Sequence, residues 1–200
     1  MEFLFPLLVA VAGFQFVKIR EQRRRILLLA RYLQQHQIEK LMETLLDGYL
    51  RAMGEKEPER RQQIWGVLHE AEAGLSDQLA QLADEFSQVW GDHALVSTLP
   101  VALPFADKLV PSATFDMRRA LKLHAEGMAR VIRNEAGRSE RDKAFMLTAE
   151  ILLFQHTCHW FCRSKTVASA RLLARHQTHH AQLIDAVSDQ TREAYLRLIR

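Results

Sequence analysis

The chain is poor in the residues that staple or punctuate a fold: two cysteines, five prolines and eight glycines in 200 residues. Two thiols four positions apart cannot build a disulfide framework, and so low a count suits a reducing compartment. Scarce proline and glycine leave long uninterrupted stretches. No run alternates apolar and polar residues with a two-residue period, so strands are not expected.

Several chemistries are excluded by their missing motifs. There is no glycine-rich phosphate loop, no Gly-x-Ser-x-Gly elbow and no Cys-x-x-Cys-His haem attachment. No glutamate is followed three residues later by histidine, which removes the carboxylate-bridged di-iron bundle. No complete nucleophile triad is recognisable by local spacing. The sequence therefore names no reaction, and a non-enzymatic role is the expectation.

Charge of one sign is also nearly lacking. Lys and Arg number 27 against 24 Asp and Glu, a net +3, with a sequence pI near 9.0. Much of that excess sits between Lys18 and Arg25, and the remainder is almost neutral. No basic stretch interleaves aromatics as a single-strand-binding face does, so nucleic acid is not an expected partner.

The one long uncharged run, Phe3 to Val17, carries Gln15 as its single polar side chain. Lys18, Arg20, Arg23, Arg24 and Arg25 follow at once. Lipid rejects charge and the cytoplasmic face attracts Lys and Arg, so residues 1–19 are read as a membrane anchor. Residues 1–25 together then contact lipid, in a single pass with the N-terminus outside and the body cytoplasmic. At about 1.5 Å per residue, fifteen residues reach roughly 22 Å, short of the ~30 Å hydrocarbon core. Snorkelling stems of Lys18 and Arg20 close part of that gap. A cleaved signal fits worse, because the chain starts Met1-Glu2 rather than with positive charge. Two alternatives stay open: a helix buried in a soluble bundle of unknown activity, and one lying along a membrane surface.

Residues 20–200 are read as one all-α domain, a bundle of about five helices whose long first member continues out of the anchor. Ile26, Ala30, Leu33, Ile38, Leu41, Leu45 and Tyr49 recur at helical spacing, predicting one helix to about Met53. Gly54 to Glu57 breaks it, and Pro58 opens the next, with Ile64, Leu68, Leu75, Leu79, Leu82, Phe86 and Trp90 as its stripe. Between residues 91 and 113, Pro100, Pro104 and Pro111 forbid a continuous helix. Yet Val101, Leu103, Phe105, Leu109 and Val110 are too apolar for a solvated linker, and the stretch is a candidate docking surface for a protein partner or a second copy. Ser112 or Thr114 is expected to cap a helix to about Asn134. Ser139 with Asp142 opens another that could reach His180, with a bend. Ser188 caps a short last helix.

Chemistry-bearing residues concentrate in His156-Thr157-Cys158-His159-Trp160-Phe161-Cys162. At 100° per residue Cys158 and Cys162 share the face of Leu147, Ile151 and Phe154, while His156 and His159 face away. A zinc or redox site at Cys158, His159 and Cys162 is the sharp reading and needs further ligands, for instance His124 or Asp116. Small thiols and satisfied histidines packed in a core, with no cofactor, are the ordinary one. His176, His179 and His180 form a second, more distant cluster. Glu150 lies in an apolar run and needs a partner or a raised pKa; Arg118, Arg119 and Lys122 are the expected partners. Glu150 with His156 or His124 is the least supported reading, an enzyme.

Overall fold

The computed structural model describes residues 4–200 and is all-α: ten helices and one short β-ribbon among the described residues. Helix α1 (Leu4–Leu33) leads into α2 (Ile38–Gly54) and α3 (Pro58–Ser87), and one turn, α4 (Gly91–Ala94), follows. Strand β1 (Leu95–Ser97) pairs antiparallel with β2 (Thr114–Asp116), Val96 opposite Phe115. Between them runs a loop carrying the short α5 (Ala106–Leu109). Helices α6 (Met117–Arg133), α7 (Glu140–Cys162), α8 (Lys165–His176), α9 (His180–Ala186) and α10 (Asp189–Leu198) complete the bundle. Met1–Phe3, the start of the expected anchor, lie outside the described residues.

The expected bundle is present, but two of its helices are each split in two, which raises the segment number above five. The first split falls at Gln34–Gln37, where the sequence has neither glycine nor proline. Its cause is tertiary. The Gln37 backbone N–H donates to Oε1 of Gln78 on α3 at 2.6 Å, and His36 Nε2 meets Glu85 Oε2 at 3.1 Å. Side chains from α3 thus cap the start of α2 in place of a local cap, and Ile38 is driven fully into the core. The second split follows Cys162. Arg163 leaves helical geometry and Ser164 Oγ accepts from the Val167 N–H, starting a new helix. The β-ribbon was not expected: three residues per strand are too few to show alternation. Ser139 caps as expected, accepting from the Asp142 N–H at 3.2 Å. The α6 cap is Asp116, whose Oδ1 accepts from the Arg118 N–H at 2.9 Å, rather than Ser112 or Thr114. Trp90 leaves the α3 stripe and is 76% exposed.

Helix α7 is the hub. Its apolar residues are not confined to one stripe, and it is buried on opposite faces. Leu147, Ile151, Phe154 and Cys158 join the larger core with α2, α3 and α6, around Leu45, Leu75, Leu79, Leu82 and Phe86. Ala149, Leu152 and Leu153 face the smaller cluster with Leu172, Leu183, Ile184 and Tyr195. Each large aliphatic so buried contributes about 1.5–3 kcal/mol before the entropy of ordering it.

A buried ionic contact ties three helices in that core. Lys143 Nζ of α7 meets Glu72 Oε2 of α3 at 2.9 Å, and the Tyr49 hydroxyl of α2 donates to Glu72 Oε1 at 2.6 Å. Burial and the Glu72 charge raise the Tyr49 pKa, keeping the hydroxyl a donor. Lys143→Met leaves Glu72 charged without its counter-ion and is expected to cost about 3–5 kcal/mol, while Lys143→Met with Glu72→Leu recovers most of it. Urea unfolding of the single and double variants checks this; equal losses in both would show the pair is not what the contact depends on.

Candidate functional site

Three places gather the chemistry-bearing residues: a closed polar network around α7, a groove beside it, and the basic stretch of α1.

In the network, His124 of α6 places Nε2 3.0 Å from Thr157 Oγ1, and Thr157 donates to the Leu153 carbonyl and lies 3.3 Å from the Tyr195 hydroxyl. His156 Nε2 is 3.0 Å from Ser169 Oγ of α8. Its ring stacks on that of His180, centroids 3.9 Å apart and nearly parallel. His180 in turn reaches the Tyr195 hydroxyl at 3.4 Å. Glu150 is fully buried. Its Oε1 accepts from the Ser188 N–H at 3.2 Å and the Ser188 hydroxyl at 2.8 Å. The expected ion pair is corrected here: Arg118 is engaged by Asp116 at 2.6 Å, and the cation felt by Glu150 is Arg130, whose guanidinium reaches Thr191 Oγ1 at 3.5 Å. Ser188 precedes α10 as expected, but its hydroxyl serves Glu150 and Thr191 rather than the helix end.

Burial sets the protonation of this network. It lowers the pKa of His124 to about 3, and, with the neighbouring His180 and Lys165, that of His156 to about 2. His180 falls to about 4 for the same leading reason. Desolvation raises Glu150 against the opposing hydrogen bonds of Ser188 and Thr191. Neutral imidazoles explain the stacking, since two imidazolium rings at that spacing would repel. Sequence reasoning missed Thr157 on α7 itself and the residues that answer α7 from other helices, Thr191, Tyr195 and Gly127; it named Ser188 only as a helix cap. Gly127 had a signal, a glycine inside a helix. A Cβ there would lie 2.5 Å from Thr191 Oγ1 and 3.0 Å from Glu150 Oε2.

The expected Cys/His cluster does not converge on one point. Cys158 is buried in the larger core and its thiol pKa is raised by burial. Cys162 is half-buried, pushed up to about 11 by desolvation, with Arg163 and Arg25 nearby. His159 is lowered by burial and by Arg171 and Arg175. Asp116 and His124, the suggested extra ligands, are committed to Arg118 and Thr157. Among the described residues, no three His, Cys, Asp or Glu side chains are grouped to hold a metal ion.

The chain turn after Cys162 does bring the distant His176 back. Helix α8 returns along α7, pairing His156 with Ser169 and Leu152 with Leu172. His176 thereby lines the same groove as Cys158 and His159, an open volume of about 740 Å³ between α2, α7 and α8. Its floor is apolar, with Met42, Leu46, Leu152 and Phe154. One wall carries Glu39, Glu43 and Asp47 from α2, the other Arg171, Arg175 and His176 from α8. Leu50 and Phe145, 70% and 66% exposed, stand at its edge. An apolar floor between walls of opposite charge is suited to an amphipathic helix.

Along α1, every residue from Pro6 to Phe16 is exposed, with Leu8 at 66% and Phe16 at 67%. Packing begins at Val17 and Lys18, and Leu29 is fully buried. Residues 6–16 pack against none of this chain's own core. Arg20, Arg23 and Arg24 are exposed, while Arg25 is half-buried, paired with Glu21 at 2.8 Å and lying over the Phe161 ring. Among the described residues, no helix is long and apolar enough to cross a membrane.

No protein-family model, curated protein or solved structure matches the chain. Its functional reading rests on its own residues.

Stability is expected to fall as pH drops from 7 towards 4. The unfolded chain protonates His124, His156 and His180 near pH 6.5 while the folded chain does not, so it binds more protons throughout that window. Glu150 works in the opposite sense, because its raised pKa gives the folded state the extra proton. His124→Gln is expected to flatten the slope of unfolding free energy against pH by up to about 1.4 kcal/mol per unit, and Glu150→Gln to steepen it. Urea unfolding at a series of pH values reads this, and unchanged slopes would refute it. Gly127→Ala is expected to destabilise by about 1–3 kcal/mol, through the crowding of Glu150 and Thr191.

Proposed function

We propose that the protein is a non-enzymatic, membrane-attached helical bundle that presents its body to a protein partner or to a second copy of itself. The observation carrying this reading is the change of surroundings within one helix: α1 is apolar and exposed through Phe16, basic at its junction, and buried by Leu29. Leaving Leu7, Leu8, Val9, Val11, Phe14, Phe16 and Ile19 in water forgoes roughly 1–2 kcal/mol apiece that lipid would supply. Lys18, Arg20, Arg23 and Arg24 follow where anionic headgroups would lie, which supports a body on the cytoplasmic side and an N-terminus outside. The apolar run is short of the hydrocarbon thickness, a mismatch met by local thinning and by the long stems of Lys18 and Arg20. The α2–α8 groove supports the docking part of the reading, since its floor is apolar and its edge carries Leu50 and Phe145. Tied-down histidines and protonated thiols give no comparable support to catalysis or metal binding.

Topology is tested by fusing a periplasm-active reporter to the N-terminus and a cytoplasm-active reporter to the C-terminus in a bacterial host. Both should be active, and the protein should stay in the membrane fraction until detergent is added. Recovery in the soluble fraction would overturn the attachment. An inactive N-terminal reporter on a membrane-retained protein would replace crossing with attachment from the cytoplasmic side. For docking, Leu50→Glu with Phe145→Glu should abolish the crosslinked adduct that the full chain gives in cells, without loss of thermal stability. An adduct of unchanged yield would remove the groove from the reading.

A further inference from the structure

We propose that the loop between the two β-strands is a second membrane contact, in which Val101, Phe105 and Leu109 enter the headgroup layer beside α1. This deepens the attachment reading and rests on it.

Position comes first. The segment Val101–Pro104 lies against Lys18, Glu21 and Gln22 of α1. The Phe105 N–H donates to Glu21 Oε2 at 3.3 Å. The loop is also tied from the body, since the Thr166 N–H and hydroxyl both donate to the Pro100 carbonyl, at 3.0 and 2.7 Å. It therefore sits within about one helical turn, about 5 Å, of the last apolar residue of the run, Val17. A bilayer adds only about 5–7 Å of headgroup on each side of its hydrocarbon. If α1 enters lipid up to Val17, this loop is at headgroup depth.

Exposure and strain come second. Pro104 and Ala106 are buried, but Val101, Phe105 and Leu109 between and around them are 63%, 53% and 65% exposed. Phe105 occupies the left-handed region, φ 57° and ψ 26°, a conformation that bulky side chains rarely adopt. The chain thus accepts backbone strain at a residue whose ring it does not bury. Strain of this kind persists only where surrounding contacts over-determine it and is concentrated at functional positions. Here the contacts are Glu21 on one side and the one-turn α5 on the other, whose Lys108 and Leu109 N–H groups both donate to the Phe105 carbonyl.

Charge comes third. Arg24, Arg25 and Lys108 stand beside Phe105, and Lys18 with Arg163, held to Gln22 at 2.8 Å, lies beside the Val101–Pro104 part of the loop. Asp92 and Asp107 lie near Arg24, and Glu21 is occupied by Arg25 and the Phe105 N–H. Cations remain in excess on this face. Apolar side chains set among cations match an anionic bilayer surface, where aromatic rings sit at headgroup level and Lys and Arg meet phosphate. A footing of this kind would also fix the tilt of the body on the membrane.

The test uses the full chain with Cys158→Ala, Cys162→Ala and Phe105→Cys, labelled with an environment-sensitive fluorophore and reconstituted in vesicles of phosphatidylcholine with phosphatidylserine. Glu135→Cys in the same background is the control: it lies beyond the far end of α7, about 34 Å of helix away. The expected result is a blue-shifted emission at residue 105, quenched by lipids brominated near the headgroup, with neither effect at residue 135. Quenching at residue 105 should weaken in phosphatidylcholine alone. A vesicle-bound protein with water-like, unquenched emission at residue 105 overturns the footing and leaves the attachment standing. A protein that does not sediment with vesicles overturns both. As a check free of cysteine replacement, Phe105→Trp in the otherwise unaltered chain should gain a tryptophan component that the same brominated lipids quench, and no added quenching counts against the footing.

Discussion

A helix buried on two opposite faces has to find partners for the polar side chains it carries there, and α7 sets that requirement for the whole bundle. Lys143, Glu150 and Thr157, seven residues apart, share one side of α7 while His156 leaves from another. Each is answered by a different element: α3, the Ser188 turn and α6 for the first three, α8 for His156. Unpaired, any of them would carry a desolvation cost comparable to a large part of a domain's net stability. The placement of α9 and α10 is fixed by the same demand. With the turn between them they supply Leu183, Ile184, Val187 and Tyr195 to the smaller apolar cluster, and Ser188, Thr191 and Tyr195 add polar contacts to it.

The same requirement sets the protonation of the buried reactive side chains. Burial lowers the pKa of His124, His156 and His180 and raises those of the Cys158 and Cys162 thiols, and these histidines are engaged in packing and hydrogen bonding. What is left open to the surroundings is of another kind. The groove beside α2 is apolar with charged walls, and the strand-connecting loop and the first half of α1 present large apolar side chains outward.

Helix α1 shows how one regular element serves two environments. Its backbone hydrogen bonds are satisfied internally, so nothing in its geometry changes at Val17; only the side chains do. The junction is where Glu21 and Gln22 bind the loop and Arg163, which makes the basic segment part of the body's packing as well as its surface. Arg25 illustrates the division: paired with Glu21 and over the Phe161 ring, it belongs to the fold, whereas Arg20, Arg23 and Arg24 remain outside.

The all-α class, the break at Gly54–Glu57, the Pro58 start, the Ser139 cap and the burial of α7 on opposite faces were legible in the sequence, because each depends on local chemistry or on the 3.6-residue period. The apolar head and its basic boundary were legible for the same reason. Tertiary structure alone decided the break at Gln34, imposed by Gln78 and Glu85, the return of His176 beside Cys158, and the choice of Ser188 over Arg118 as the partner of Glu150. Those outcomes depend on groups 18 to 49 residues apart in the chain. Periodicity reports which face of a helix is buried and is silent on which neighbour covers it.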